Sequence, residues 1–419
     1  MDTTPSSHYH TEAVKNFNQD ARSKGWIPHQ FQLDALMQKA RNETGLQKFE
    51  DESFIPTLEK LIYSLNKSAE LNPFGEMVVL SSIIEPLKTR LRADDCFKKH
   101  PEILDYPIQN PICIIGPHRS GTTRMHRMMA TDQRLQFLAT WEGMSPAPYL
   151  DSPDLGRAQR YQEITQALGG MLPCYGEAFI AHPMHPDWPE EEMLLLNTSF
   201  LSFSFLGNSY IPEFYQYFLH AEKDHAYAYM VKLMKLISWQ RKDPPSKRWL
   251  LKNPQHMLDL CTVNKFLPDI KMIFPHRDPL KTVGSVISLM WLFCRQNTDA
   301  PRRWQMKEVW WDYCQQSARR AIEARENLPA NQQLDVYYQD INHNWKDVMH
   351  RVYEFIDLPF DGKTEAGLQA WLHESEKEAH HVGHSYTLEE FGLSTAEVES
   401  AMQFVRTRYN TAYEAKKNP

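Results

Sequence analysis

Residues 112–129 read ICIIGPHRSGTTRMHRMM. An apolar run ends at Gly116, a tight loop carries Arg119 and Gly121, and Thr122 and Thr123 open a helix. A strand that turns through glycines into a helix start leaves backbone N–H groups pointing at one spot, which makes a phosphate site. Gly116 and Gly121 have the spacing of a Walker loop, but the Lys expected after the second glycine is Thr122. The cation sits inside the loop instead, as Arg119. Such a loop suits a shorter 5′ group better than a triphosphate.

The rest of the chain supplies the setting for that loop. Short apolar runs at 112–115, 249–251, 270–274 and 334–338 alternate with long helical patterns. That alternation predicts an α/β fold, a central parallel sheet with helices on both faces. Residues 1–110 predict helices, since Phe31, Leu33, Leu36 and Met37 recur at helical spacing, as do Leu58, Leu61, Ile62 and Leu65. This segment reads as a helical N-terminal extension packed on an α/β domain of residues 111–419. Within that domain, about 141–247 form a mostly helical insertion on the substrate side. The apolar stretch 193–206 is too short and too polar to span a bilayer and reads as a buried helix. Met125, Met128 and Met129 read as core. Two capping boxes, Thr387 with Glu390 and Ser394 with Glu397, predict a tail helix ending near Tyr409.

Composition narrows the partners. A net charge of −7 gives no global basic field for nucleic acid or an anionic membrane. An anionic cofactor would therefore need a local cluster of cations. The six cysteines include no CxxC pair and read as reduced thiols. The first residues, MDTTPSSHYHTEAVK, contain no apolar leader core, so the expected address is cytoplasmic. No carboxylate or histidine pattern demands a metal: His182 and His185 sit in a proline-interrupted loop. Pro189 to Glu192 reads as a helix start with acids in its first turn.

A second motif, FPHRDPLKTVGSVISL, occupies 274–289. Arg277 follows a strand, Asp278 is a natural N-cap, Pro279 suits the first helical position, and Ser285 lies about two turns in. Arg277 offers bidentate contacts to a phosphate, and Ser285 a hydroxyl. Together the two motifs predict two anion sites on one nucleotide.

With both motifs in place, the chain resembles the sulfotransferases that use 3′-phosphoadenosine 5′-phosphosulfate. In that superfamily a PKSGTT-like loop binds the 5′-phosphosulfate, and an Arg and a Ser eight residues apart bind the 3′-phosphate. By resemblance, His118, Arg119, Ser120, Gly121, Thr122 and Thr123 hold the first group and Arg277 and Ser285 the second. Trp141-Glu142, LKNPQH at 251–256 and YYQDI at 337–341 are similar to the branch that carries an RSGTT loop. Tyrosylprotein sulfotransferases share that loop, and likeness to them implies Glu142 as the acceptor's base, with Lys252 and Arg119 near the transferred group. Many cytosolic sulfotransferases use a His base, so His182 stays a rival; His381 and His384 are further candidates at the 3′-phosphate. The implied reaction is sulfuryl transfer to a hydroxyl of a small-molecule or lipid-like acceptor, releasing adenosine 3′,5′-bisphosphate. The alternatives are a P-loop kinase or nucleotidase and a non-catalytic nucleotide-binding protein. Acceptor identity and oligomeric state are not legible.

Overall fold

The computed structural model describes residues 9–378 and 386–414. Its centre is a parallel sheet in the order β2-β3-β1-β4-β5. The strands are β1 (Ile112–Ile114), β2 (Leu135–Gln136), β3 (Arg248–Lys252), β4 (Lys271–His276) and β5 (Gln333–Tyr337). Four of them are the runs expected from the apolar pattern. The two-residue β2, which pairs Leu135 with Arg248, is too short to show a period. Strand β1 lies in the middle, with Ile112 facing Leu250 on one side and Lys271 on the other. Because every pairing is parallel, all the strands end at one edge, and the loops that follow them converge there.

Alternation along β1 explains why so short a strand is wholly apolar. Ile112 and Ile114 face one core, with Met125, Met128, Met129, Leu250 and Ile273. Cys113 and Ile115 face the other, with Leu251, Met272 and Phe274. A strand buried on both faces reads as continuous rather than alternating hydrophobicity. The second core also takes in Leu58, Leu61, Ile83 and Leu91 from the N-terminal helices Ile55–Ser68 and Pro73–Lys99.

Two expectations are corrected in the insertion. The stretch 193–206 is buried but is not one helix: it breaks into Met193–Leu196, a 3₁₀ turn Asn197–Ser199, and Ser204–Asn208. Polar side chains bond locally and compete with the helix ladder. Thr198 donates to the Leu195 carbonyl at 2.6 Å, Ser204 to Asn197 Oδ1 at 2.7 Å, and Phe200 turns at φ 58°. The acids 190–192 precede the helix at Met193 rather than occupying its first turn.

At the tail, Ser394 caps Thr395–Tyr409 by accepting from the Glu397 N–H at 3.1 Å. The Thr387–Glu390 box forms both of its bonds but closes only the 3₁₀ turn Glu389–Phe391. His381 and His384 lie outside the described residues. All six cysteines are unpaired. Among the described residues no helix is long and apolar enough to cross a membrane.

Candidate active site

The loop after β1 is shaped by two residues in the left-handed region, Arg119 at φ 68° and Gly121 at φ 90°. An arginine there is uncommon, and such strain gathers at functional sites. Ser120 is buried and turns inward, donating to the Pro117 carbonyl at 2.7 Å. It closes the loop and does not line the cleft. Gly121 precedes the helix Thr122–Met129, whose first turn has no side-chain cap. Its leading N–H groups and the positive end of its dipole are thus presented to whatever lies above.

The second motif folds as its sequence dictates. Asp278 accepts from the Leu280 N–H at 3.0 Å, and Pro279 opens the helix Pro279–Cys294. This brings Arg277 and Ser285 directly against the first loop. Arg277 Nη1 donates to the Arg119 carbonyl at 2.8 Å, and Arg119 Nε donates to Ser285 Oγ at 3.1 Å. Arg119 also donates to the Ala181 carbonyl at 3.0 Å, so its side chain reaches away from the helix start and toward the second motif. The Arg277 guanidinium lies 3.9 Å over the Tyr338 ring, and the carboxylate of Glu414 takes two of its N–H groups at 2.7 and 2.9 Å.

His118, Arg119, Gly121, Thr122, Thr123 and Arg277 line one cleft of about 1380 Å³, its open mouth included. Its far wall is apolar, with Met184, Met193, Leu194, Leu289, Met290 and Phe293. His118 meets Phe203 edge-on at 4.9 Å and Tyr313 at 5.8 Å. Burial, with the nearby Lys252 charge, pushes its pKa down to about 3, so the ring is neutral at ordinary pH.

The floor of the cleft is acidic. Glu190 and Glu191 line it and their neighbour Glu192 does not; all three are buried, and each faces a basic group. Glu190 lies 3.7 Å from His182 Nε2. Burial acts to raise its pKa, but the His182 contact and the Lys252 charge outweigh that and hold it below the usual carboxylate range. Glu191 is paired with the Lys252 ammonium; burial, together with the charge of Glu190, leaves it above its ordinary value despite that cation. Glu192 receives the His256 ring at 2.6 Å and the Lys252 N–H at 3.0 Å, and His256 meets Tyr227 at 2.8 Å. Cys113, Glu192 and His256 bring ligand atoms within 4.8 Å of one another. The imidazole and the thiol both bond to the one carboxylate, which accounts for their grouping.

The structure does not bring Glu142 into this cleft. It is buried and held by Arg241, whose Nε donates to it at 2.8 Å and whose Nη2 takes its other oxygen. It borders a separate pocket with Trp141, Arg157 and Arg160. Lys252 ends β3 beside the loop but does not line the cleft either: it is buried, and its ammonium is paired with Glu191, which does line it. The floor glutamates were legible only as helix-start acids. The available signal was three consecutive carboxylates running straight into the apolar MLLL.

Residues 111–362 match the model of a family described as the sulfotransferase family. The fold is similar to the crystal structure of a sulfotransferase from Mycobacterium avium, with 24% identity and a TM-score of 0.78 over 94% of this chain and 100% of that one. It is similar also to a sulfotransferase from Mycobacterium tuberculosis H37Rv, with 22% identity and a TM-score of 0.73 over 89% of this chain and 98% of that one. At such identities the likeness is one of fold. No curated protein matches the chain in sequence.

Proposed function

This chain belongs to the sulfotransferase family, and from that premise we propose that it moves a sulfuryl group from 3′-phosphoadenosine 5′-phosphosulfate to a hydroxyl on an apolar small-molecule or lipid-like acceptor. Family membership makes it an enzyme of sulfuryl transfer and displaces the kinase and binding-only readings. What supports the donor is the direct contact between the two anion motifs, Arg277 on the Arg119 carbonyl and Arg119 on Ser285. A nucleotide with a phosphate at each end needs two clamps a ribose apart on one surface.

Bound there, the donor supplies a sulfuryl group on a good leaving phosphate. Its transfer resembles phosphoryl transfer, with a loose transition state whose charge spreads over equatorial oxygens. The protein's task is positioning and positive charge. The first-turn amides at Thr122 and Thr123 would hold the 5′ side, with Arg119 swung from Ser285 to the bridging oxygens. Arg277 and Ser285 would hold the 3′-phosphate, and the buried Lys252, paired with Glu191, would add positive charge from beneath the lining.

The acceptor must lose a proton. We assign the base to His182, whose side chain is 23% exposed on the cleft, with Glu190 behind it as the orienting carboxylate. Glu191, a buried carboxyl with a raised pKa, is the second reading. The apolar wall of Met184, Met193, Leu194 and Met290 suits an uncharged hydrophobic body, and methionines adapt to irregular shapes. The six unpaired cysteines fit a reducing compartment, so the cytoplasm is the address that goes with this reading.

The test is transfer of labelled sulfate from the donor to a panel of sterols, long-chain alcohols, phenols, sugars and amines. Labelled apolar alcohols or phenols are the expected product. Label appearing only on sugars or amines would overturn the acceptor assignment. No melting shift with adenosine 3′,5′-bisphosphate would overturn the donor.

A further inference from the structure

Arg277 already holds an anion of this chain's own making. Glu414 binds it through both carboxylate oxygens, at 2.7 and 2.9 Å, and the pair is mostly buried, with side-chain exposures of 20% for Arg277 and 16% for Glu414. The contact is not a chance brush of a loose end. The tail leaves its helix at Asn410, which turns at φ 49°. The Glu414 N–H then donates to Asp278 Oδ2 at 2.8 Å. The other oxygen of Asp278 takes the Arg406 guanidinium, which also donates to the Thr411 carbonyl at 3.2 Å and lies 3.6 Å over the Tyr413 ring. Residues 410–414 are thereby pinned by the residue that caps the helix after Arg277. They form one side of a cleft whose other side is His276, Tyr337, Tyr338 and Asp340.

A guanidinium reads a carboxylate and a phosphate by the same two-pronged geometry. We propose that Glu414 occupies the place of the nucleotide's 3′-phosphate on Arg277, so that residues 410–414 act as a strap that must let go before the donor seats. This rests on the donor reading above. A phosphate dianion carries more charge than the carboxylate and displaces it, but the apparent affinity is lowered by the fraction of molecules whose strap is open. The strap therefore sets how much donor the enzyme needs and speeds loss of the spent bisphosphate, since Glu414 is tethered beside the arginine it reclaims.

The experiment is calorimetric titration of the full chain, as wild type, Glu414→Gln and Glu414→Ala. The ligands are adenosine 3′,5′-bisphosphate and adenosine 5′-monophosphate, which lacks the 3′-phosphate. Both variants are expected to bind the bisphosphate about tenfold more tightly, the figure for a strap closed roughly nine-tenths of the time, with 5′-monophosphate affinity unchanged. Equal or weaker bisphosphate binding in both variants overturns the strap and leaves the donor site standing. An equal gain for the 5′-monophosphate also overturns it, because the effect would then not pass through the 3′-phosphate. Absence of bisphosphate binding in all three proteins defeats the donor reading, and the strap with it.

Discussion

A histidine at the edge of an open cleft, 3.7 Å from a buried carboxylate, can pick up a proton and pass it on. A glutamate clasped by an arginine cannot do so without breaking the clasp. His182→Gln should therefore lower turnover by about 10²–10⁴-fold, the usual worth of a positioned base. Bisphosphate affinity should hold, and Glu191→Gln should have the smaller effect. The reverse order in steady-state kinetics would move the base to Glu191. For Glu142→Gln the expectation is a loss of stability, since the buried Arg241 would lose its bidentate carboxylate and keep Asp243, at 3.7 Å, and the Phe137 carbonyl. With those partners retained the cost falls below the roughly 3–5 kcal/mol of a buried charge left with none, so the melting temperature should drop measurably while kcat of the folded fraction stays near wild type. A wild-type melt with collapsed kcat would return Glu142 to the chemistry. Arg277→Ala should weaken the bisphosphate about ten- to a hundredfold and spare adenosine 5′-monophosphate, as expected for a charge-assisted pair worth roughly 1.5–3 kcal/mol. Equal loss for both nucleotides in calorimetry would refute the 3′ assignment.

The loop and the helix after it work as one element, and Gly121 is where they are joined. At φ 90° an L-residue is strained by roughly 1–2 kcal/mol. A Cβ there would also lie 2.8 Å from Tyr338 Cδ2, and Tyr338 is the ring beneath Arg277. Gly121→Ala should disturb both clamps at once, so both bisphosphate and 5′-monophosphate binding should fall, with only a modest change in melting temperature. Retained binding of either nucleotide would show that the clamps do not share this wall. Elements of this kind were legible because their signals are local. Glycine spacing, the Asp278 cap, Pro279 and the four apolar runs are each written within a few residues. The location of Glu142 was not legible, because its partner Arg241 comes 99 residues later and no pattern near either residue announces the pair. The same holds for Glu414, 137 residues from Arg277, and for Glu191, whose Lys252 comes 61 residues later. Patterning reports which face of an element is buried; it does not report which charge waits on the other side.

At the scale of the molecule, the cations that suit an anionic donor stand in a chain of net charge −7. That local concentration has a cost in acid. His118 and His126 flank the sheet beside Lys252, and burial, with the Lys252 charge, pushes both down to about pH 3. Unfolded, each would titrate near 6.5. Between those values the unfolded chain binds protons that the folded chain refuses, so stability rises with pH across that window and is lost as pH falls from about 6.5. Each such histidine contributes a slope approaching 1.4 kcal/mol per pH unit once well below its unfolded pKa. Depressed carboxyls act in the same direction lower down. Asp335, where burial is outweighed by His276 and Arg325, and Glu190 lose their stabilising charge as pH drops through and below about 4. The expected melt profile is flat above pH 7, declines through pH 6 and 5, and steepens below 4. His126→Leu should flatten the middle limb, since His126 is fully buried and, among the described residues, its one hydrogen-bond contact is to the Leu250 carbonyl at 3.3 Å. A wild-type melting temperature that does not change between pH 7 and 5 would mean that these rings are protonated in place. The fold would then have to supply, next to Lys252, a counter-charge that Glu190, Glu191 and Glu192 already commit to His182, Lys252 and His256.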